Sequence, residues 1–158
     1  MRIVAGTARS RTILAPEGRD TRPTLDRVRE NLFNILQWHC RDAQVLDLFA
    51  GSGALALEAL SRGAAGAVLA DRDPRAVRIE RQNVENLGFT DRARVIQAEW
   101  QETLRRLAAE NMTFQLVFLD PPYAMKDLSA VFEALRIGGM IDETSLIVVE
   151  HKAEDVPF

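Results

Sequence analysis

A chain of 158 residues, 47% hydrophobic and 27% charged, has the size and composition of one compact α/β domain. Its single cysteine, Cys40, excludes an internal disulfide and a cysteine-cluster zinc site, and with only His39 and His151 beside it no protein metal site is expected. The net charge of −3 argues against a uniformly basic nucleic-acid binder, yet residues 1–41 hold eight arginines and four acids, a net of +4, against −7 for the remainder, which suits a basic docking surface on an acidic body as well as a solvated polar face.

In chain order, residues 2–5 and 12–14 are short β-prone runs joined through Gly6 to Arg11, and they read as a small hairpin. Pro16, Gly18 and Pro23 mark residues 15–24 as loop. Thr24 is suited to cap a helix that carries Leu25, Val28, Leu32, Ile35 and Leu36 at helical spacing, with Trp38 expected to pack and His39 and Cys40 closing it. From residue 44 strands and helices alternate. Strands are expected over 45–49, 67–70, 93–97, 116–119 and 146–149, and helices over 54–62, from Pro74 to a stop at Gly88, over 102–109 and through 128–135. This order implies a doubly wound, mostly parallel sheet, whose ligands bind at the carboxyl ends of the strands.

Three motifs fall at such ends. The first strand runs into the turn Phe49-Ala50-Gly51-Ser52-Gly53, where the two glycines let the backbone pass close to a ligand. Residues 51–56 also fit the fingerprint G-x-G-x-x-G/A, so a nicotinamide dehydrogenase is the first rival. Asp47 argues against it: a carboxylate there is out of place beside a pyrophosphate and suits a cation such as the ammonium and sulfonium of S-adenosylmethionine. Asp71, followed by Arg72, ends the second strand, where an acceptor can grip ribose hydroxyls; Asp73 competes for that role, but its place before Pro74 suits helix capping. Glu99, after the third strand, reads equally as a partner for an adenine amino group, with Trp100 bordering it, or as a surface acid.

The third motif is Asp120-Pro121-Pro122-Tyr123, after the fourth strand. The amino group of a nucleobase is a poor nucleophile because its lone pair is delocalised into the ring. Two acceptors on its two N–H bonds draw it toward tetrahedral geometry and aim the lone pair at a methyl group. Asp120 supplies one and the Pro121 carbonyl the other, Pro121 and Pro122 stiffen the segment, and Tyr123 offers a ring for a flipped base.

The chain as a whole resembles the bacterial 16S ribosomal RNA guanine-N2 methyltransferases. The resemblance rests on Met1–Gly6, Thr21-Arg22-Pro23-Thr24, Asp26-Arg27-Val28-Arg29-Glu30, Leu32–Leu36, the 47–53 turn and Leu57–Ala64, and it covers almost the whole sequence. It implies a Rossmann-like class I methyltransferase fold over residues 24–158 behind a basic N-terminal extension of residues 1–23. It also implies S-adenosylmethionine as donor without a metal, and 16S rRNA or the small ribosomal subunit as partner. Family members continue past the fifth strand into an antiparallel pair that is missing here, so the chain is expected either to be a fragment or to have that apolar sheet edge covered by something else. A cytoplasmic monomer is expected, with dimerisation through the exposed sheet edge as the alternative, and Arg9, Arg11, Arg22 and Thr24 are the candidate RNA contacts. A DNA adenine-N6 methyltransferase would use the same Asp-Pro-Pro-Tyr chemistry, but normally carries a target-recognition domain for which this length has no room. A donor-binding ribosome assembly factor without catalysis is the non-enzymatic alternative.

Overall fold

A computed structural model describes residues 1–16, 23–122 and 124–151, with the backbone alone for Pro23, Thr24 and Leu25. The elements run α1 (Pro23–Cys40), β1 (Gln44–Asp47), α2 (Ala54–Ser61), β2 (Gly66–Asp71), α3 (Pro74–Asn86), β3 (Ala93–Gln97), α4 (Trp100–Ala109), β4 (Leu116–Leu119), α5 (Ser129–Ile137) and β5 (Leu146–Val149). The five strands form one sheet in the order β3-β2-β1-β4-β5, and every pair is parallel. That is the doubly wound architecture the alternation of elements implies.

Both faces of the sheet are covered, so its strands read as continuous apolar runs. Val45 and Phe118 turn to the face packed by α1, α2 and α3; Leu46 and Val117 turn to the face packed by α4 and α5. Strand order reverses at β1, where the chain leaves first toward β2 and β3 and later returns to add β4 and β5. The crevice at the carboxyl ends of β1 and β4 is therefore the switch point where open α/β sheets bind ligands. Among the described residues β5 is an edge strand, and its four residues are half-buried.

The N-terminal hairpin reduces to an Arg2–Thr12 bridge, flanked by hydrogen bonds from the Ile3 amide to the Arg11 carbonyl and from the Ile13 amide to the Met1 carbonyl. It is fastened to the end of α2. The Thr7 amide donates to the Ser61 carbonyl, the Ala8 amide to Ser61 Oγ, and a Cβ at Gly6 (φ +90°) would lie 1.8 Å from the Ser61 oxygen, so only glycine fits. The Glu58 carboxylate, fully buried, accepts from the Val4 and Ala5 amides and pairs with Arg29 of α1 and Arg62. This explains two residues of the family-like segments: Arg29 and Glu58 join hairpin, α1 and α2.

Several boundaries differ from the sequence reading. Helix α1 starts at Pro23, which needs no amide partner in the first turn, so Thr24 lies inside the helix rather than capping it. Helix α4 starts at Trp100, which makes Glu99 its N-cap position. Helix α5 extends to Ile137, and β1 ends at Asp47 because the chain turns there toward the glycines. Trp38 was expected to pack, but it is 85% exposed on the outer face of α1, opposite the buried Phe33, Leu36 and Cys40. No helix among the described residues is long and apolar enough to cross a membrane.

Candidate functional site

Asp47 and Asp120 mark the two sides of the switch point. Asp47 is the last residue of β1 and lies opposite Phe118 of β4, so Asp120, just past β4, stands next to the turn that leaves β1. Their proximity is also electrostatic: the Asp120 and Asp71 charges disfavour ionisation of Asp47. Asp120 itself is exposed at the mouth of the crevice, and Pro121 and Pro122 follow it.

The turn is held by its neighbours. Gly51 and Gly53 take φ values of +59° and +84°, conformations that side-chain-bearing residues rarely adopt. A Cβ at Gly53 would meet Leu69 Cδ2 at 2.6 Å, whereas one at Gly51 would meet nothing within 4 Å. Close packing below Gly53 and open space above Gly51 are what a backbone cradle for a ligand needs. Asp71, at the end of β2, accepts from the Gly51 amide at 2.9 Å and from the Asp73 amide at 3.0 Å. A carboxylate has about four acceptor positions, so Asp71 keeps capacity for a ligand. Asp73 is committed elsewhere: it caps α3 by accepting from the Arg75 amide, as its place before Pro74 implied.

Asp47 departs from its expected setting. It is 1% exposed, beneath the turn, and accepts from the Ala56 amide at the start of α2. Burial pushes its carboxyl up to about 7, the Ala56 amide opposing the shift. Through that hydrogen bond Asp47 fixes the start of α2. Glu99 is 61% exposed and pairs with Arg72 at 3.9 Å, so an adenine contact needs it to change partners; Trp100 is half-buried against the α4–α5 face. Phe49, Ala50 and Ser52 are half-buried in the turn.

Two site residues escaped the sequence reading. Asn83 of α3 is fully buried; its amide accepts from the Leu14 amide and donates to the carbonyls of Leu14 and Ser52, tying the hairpin strand to the turn. Glu80, one turn earlier, is also fully buried, and burial, then the Asp47 and Asp71 charges, push its carboxyl up to about 9. The signal was present: Ala76, Val77, Glu80, Asn83 and Val84 share the buried face of an amphipathic helix, and two polar residues at apolar positions ask for a reason. Among the described residues no three His, Cys, Asp or Glu side chains group as a metal site requires.

Arg9 and Arg11 do not reach this site. The hairpin docks on the far end of α2, and the Arg11 guanidinium donates to the Asn86 carbonyl at the end of α3, so both arginines sit at the amino ends of the strands. Leu14 is tied to the turn through Asn83. Arg22 and Tyr123 lie outside the described residues, as does the side chain of Thr24.

The raised carboxyls set a pH dependence. Asp47 and Glu80 keep, in the folded protein, protons that the unfolded chain releases in the ordinary carboxylate range. Stability is therefore full below that range and is lost as pH rises toward about 7 for Asp47 and about 9 for Glu80. The melting temperature of the ligand-free protein should fall between about pH 5 and pH 8.5, and Glu80→Leu should flatten the upper part of the fall. A wild-type melting temperature that stays level over this interval would show that neither carboxyl is held neutral.

The model of the family described as "Conserved hypothetical protein 95" matches residues 1–157. The Escherichia coli K12 protein named Ribosomal RNA small subunit methyltransferase D is 42% identical over 157 residues, covering 98% of this chain and 76% of that protein. A solved structure from Escherichia coli, provisionally named as the methyltransferase yhhF, superposes with a TM-score of 0.85 at 39% identity, covering 99% of this chain and 85% of that one. A structure named as the SAM-dependent methyltransferase from Agrobacterium tumefaciens shares the fold, with a TM-score of 0.66 at 20% identity over 84% of this chain and 47% of its own.

Proposed function

The chain belongs to the family described as "Conserved hypothetical protein 95", and we propose that it transfers a methyl group from S-adenosylmethionine to the exocyclic N2 amino group of a guanine in 16S ribosomal RNA. The observation that carries this reading is the convergence, at one switch point, of a glycine turn over buried carboxyls with an Asp-Pro-Pro segment. The names of relatives favour ribosomal RNA over DNA as the acceptor, and methyltransferase over a binding factor without catalysis.

The site fits the donor. Open space above Gly51 admits it, Asp71 has acceptor capacity for its ribose, and the buried Asp47 and Glu80 favour a ligand of net positive charge. When bound, it supplies a methyl group on an already activated sulfonium. The protein's part is alignment. Asp120 and the Pro121 carbonyl hold the two N–H bonds of the guanine amino group, and the prolines keep the two acceptors in register. Tyr123 stacks on the extruded base. Arg9, exposed at the opposite end of the strands, meets phosphates of an extended RNA surface rather than the target nucleotide.

Asp71→Ala should weaken donor binding by roughly 1.5–3 kcal/mol, the scale of a hydrogen bond to a charged group. Calorimetry with S-adenosylmethionine and with NAD checks both parts of the assignment. Binding of NAD in place of the donor would return the fold to the dehydrogenases, and an unchanged donor affinity would take the ribose away from Asp71.

A further inference from the structure

The buried polar groups near the turn differ in one respect. Glu58 and Asn83 spend their polar atoms on the fold, joining hairpin, helices and turn. Glu80 joins nothing: it is 0% exposed, and neither carboxyl oxygen has a hydrogen-bond partner among the described residues. A buried carboxyl without partners is a cost to stability, and a leucine at this position of an apolar helix face would avoid it. The position is specific. Glu80 Cγ lies 3.7 Å from where a Cβ on Gly53 would be, directly beneath the turn. The charged groups whose fields reach it are Asp47 of β1, Asp71 of β2 and, on its own helix, Arg81; the two from the sheet are both acids.

We propose that Glu80 is a charge-sensing residue of the donor site, neutral when the site is empty or holds a neutral thioether and ionised when a sulfonium ligand binds, so that the site prefers the charged donor to its spent product. The inference rests on the donor reading above. S-adenosylmethionine carries one more positive charge than S-adenosylhomocysteine, and the two are otherwise alike apart from a methyl group. A positive charge brought over the turn stabilises the carboxylate below it, and burial keeps screening weak. The proton lost on donor binding passes to solvent. It is regained from solvent once the sulfonium has become a thioether, so no other reactant is needed. Asp47 titrates in the same field, and the protons exchanged belong to the pair. The substitution at Glu80 isolates its share.

The test is calorimetry of S-adenosylmethionine and S-adenosylhomocysteine at about pH 7.5 in two buffers of different ionisation heat. The donor should release close to one proton more than the product, and its dissociation constant should fall by up to about tenfold per pH unit between about pH 6.5 and 8.5, while that of the product changes little. In Glu80→Gln the difference in proton release should shrink to the share of Asp47, and the preference for donor over product should drop several-fold. Glu80→Leu gives the same readout in a variant that should melt higher than wild type at neutral pH. Equal proton release for both ligands in the wild type, or an undiminished difference in Glu80→Gln and Glu80→Leu, overturns the role of Glu80 while leaving the donor site standing. Failure of the wild type to bind S-adenosylmethionine at any pH overturns the donor site itself and this role with it.

Discussion

Asp120→Ala should lower methyl transfer by about 10²- to 10³-fold, the usual effect of removing one preorganised polar group from a site whose catalysis is alignment. Donor binding should survive. The parts that hold the turn, Asp71 on the Gly51 amide, Asn83 on the Ser52 carbonyl and Asp47 on the Ala56 amide, do not include Asp120. Asp120 lies just beyond β4, exposed at the mouth of the crevice, where a base can approach from solvent. With alanine there, the Pro121 carbonyl alone would hold the amino group, and its lone pair would stay conjugated to the ring. Removing the negative charge should also ease ionisation of Asp47, which Asp120 opposes, so donor affinity should hold or rise slightly. Single-turnover rates on 16S rRNA, read beside donor calorimetry, separate the two effects. A rate within a factor of about three of wild type would show that the amino group is held by other groups.

Glu58→Ala should cost about 3–5 kcal/mol of folding stability, the range for removing one partner from a buried ion pair. Glu58 is fully buried and Arg29 is 5% exposed. The substitution leaves Arg29 with Asp26 and the Arg2 carbonyl, and strips the Val4 and Ala5 amides of their acceptor. The hairpin would then be fastened to α2 mainly through Ser61, whose hydroxyl donates to the Ala5 carbonyl and accepts from the Ala8 amide. Urea denaturation measures the loss. As a contrast, Glu102 pairs with Arg105 and Arg106 on the exposed face of α4, and Glu102→Ala should change stability far less. Similar losses for the two variants would show that burial of the Glu58 pair is not what matters.

The elements legible in the sequence were those set by local rules. Gly51, Gly53 and Gly88 all take positive φ where turns or helix ends were read, Asp73 and Pro74 open α3, and β3, β4 and β5 occupy the residues expected. Their signals lie within a few residues of their effects. What escaped depends on residues far apart in sequence. Glu58 meets Val4 at a separation of 54 residues, and Asn83 meets Leu14 at 69. No window along the chain shows those partners. Trp38 was misplaced because helical spacing tells which residues share a face, not which face finds a neighbour; α1 buries the Phe33 side and leaves Trp38 outward. Arg9 and Arg11 are candidate RNA contacts in the sequence, but the sequence does not tell which end of the sheet they occupy; the docking of Gly6 and Thr7 on Ser61 puts them at the amino ends of the strands. Asp47 was legible in position but not in burial, since the sequence does not show that the turn folds over it.

We propose that the glycine turn and the Asp-Pro-Pro segment form one site that methylates a guanine amino group. The most direct test is nucleoside mass analysis of 16S rRNA and of small-subunit particles incubated with the protein and S-adenosylmethionine, with adenine-containing duplex DNA alongside. The prediction is N2-methylguanosine in the ribosomal RNA, lost in Asp120→Ala although that variant still binds the donor. Methyl groups on adenine N6, methylation of the DNA alone, or no methylation of any substrate by a protein that binds the donor would contradict it.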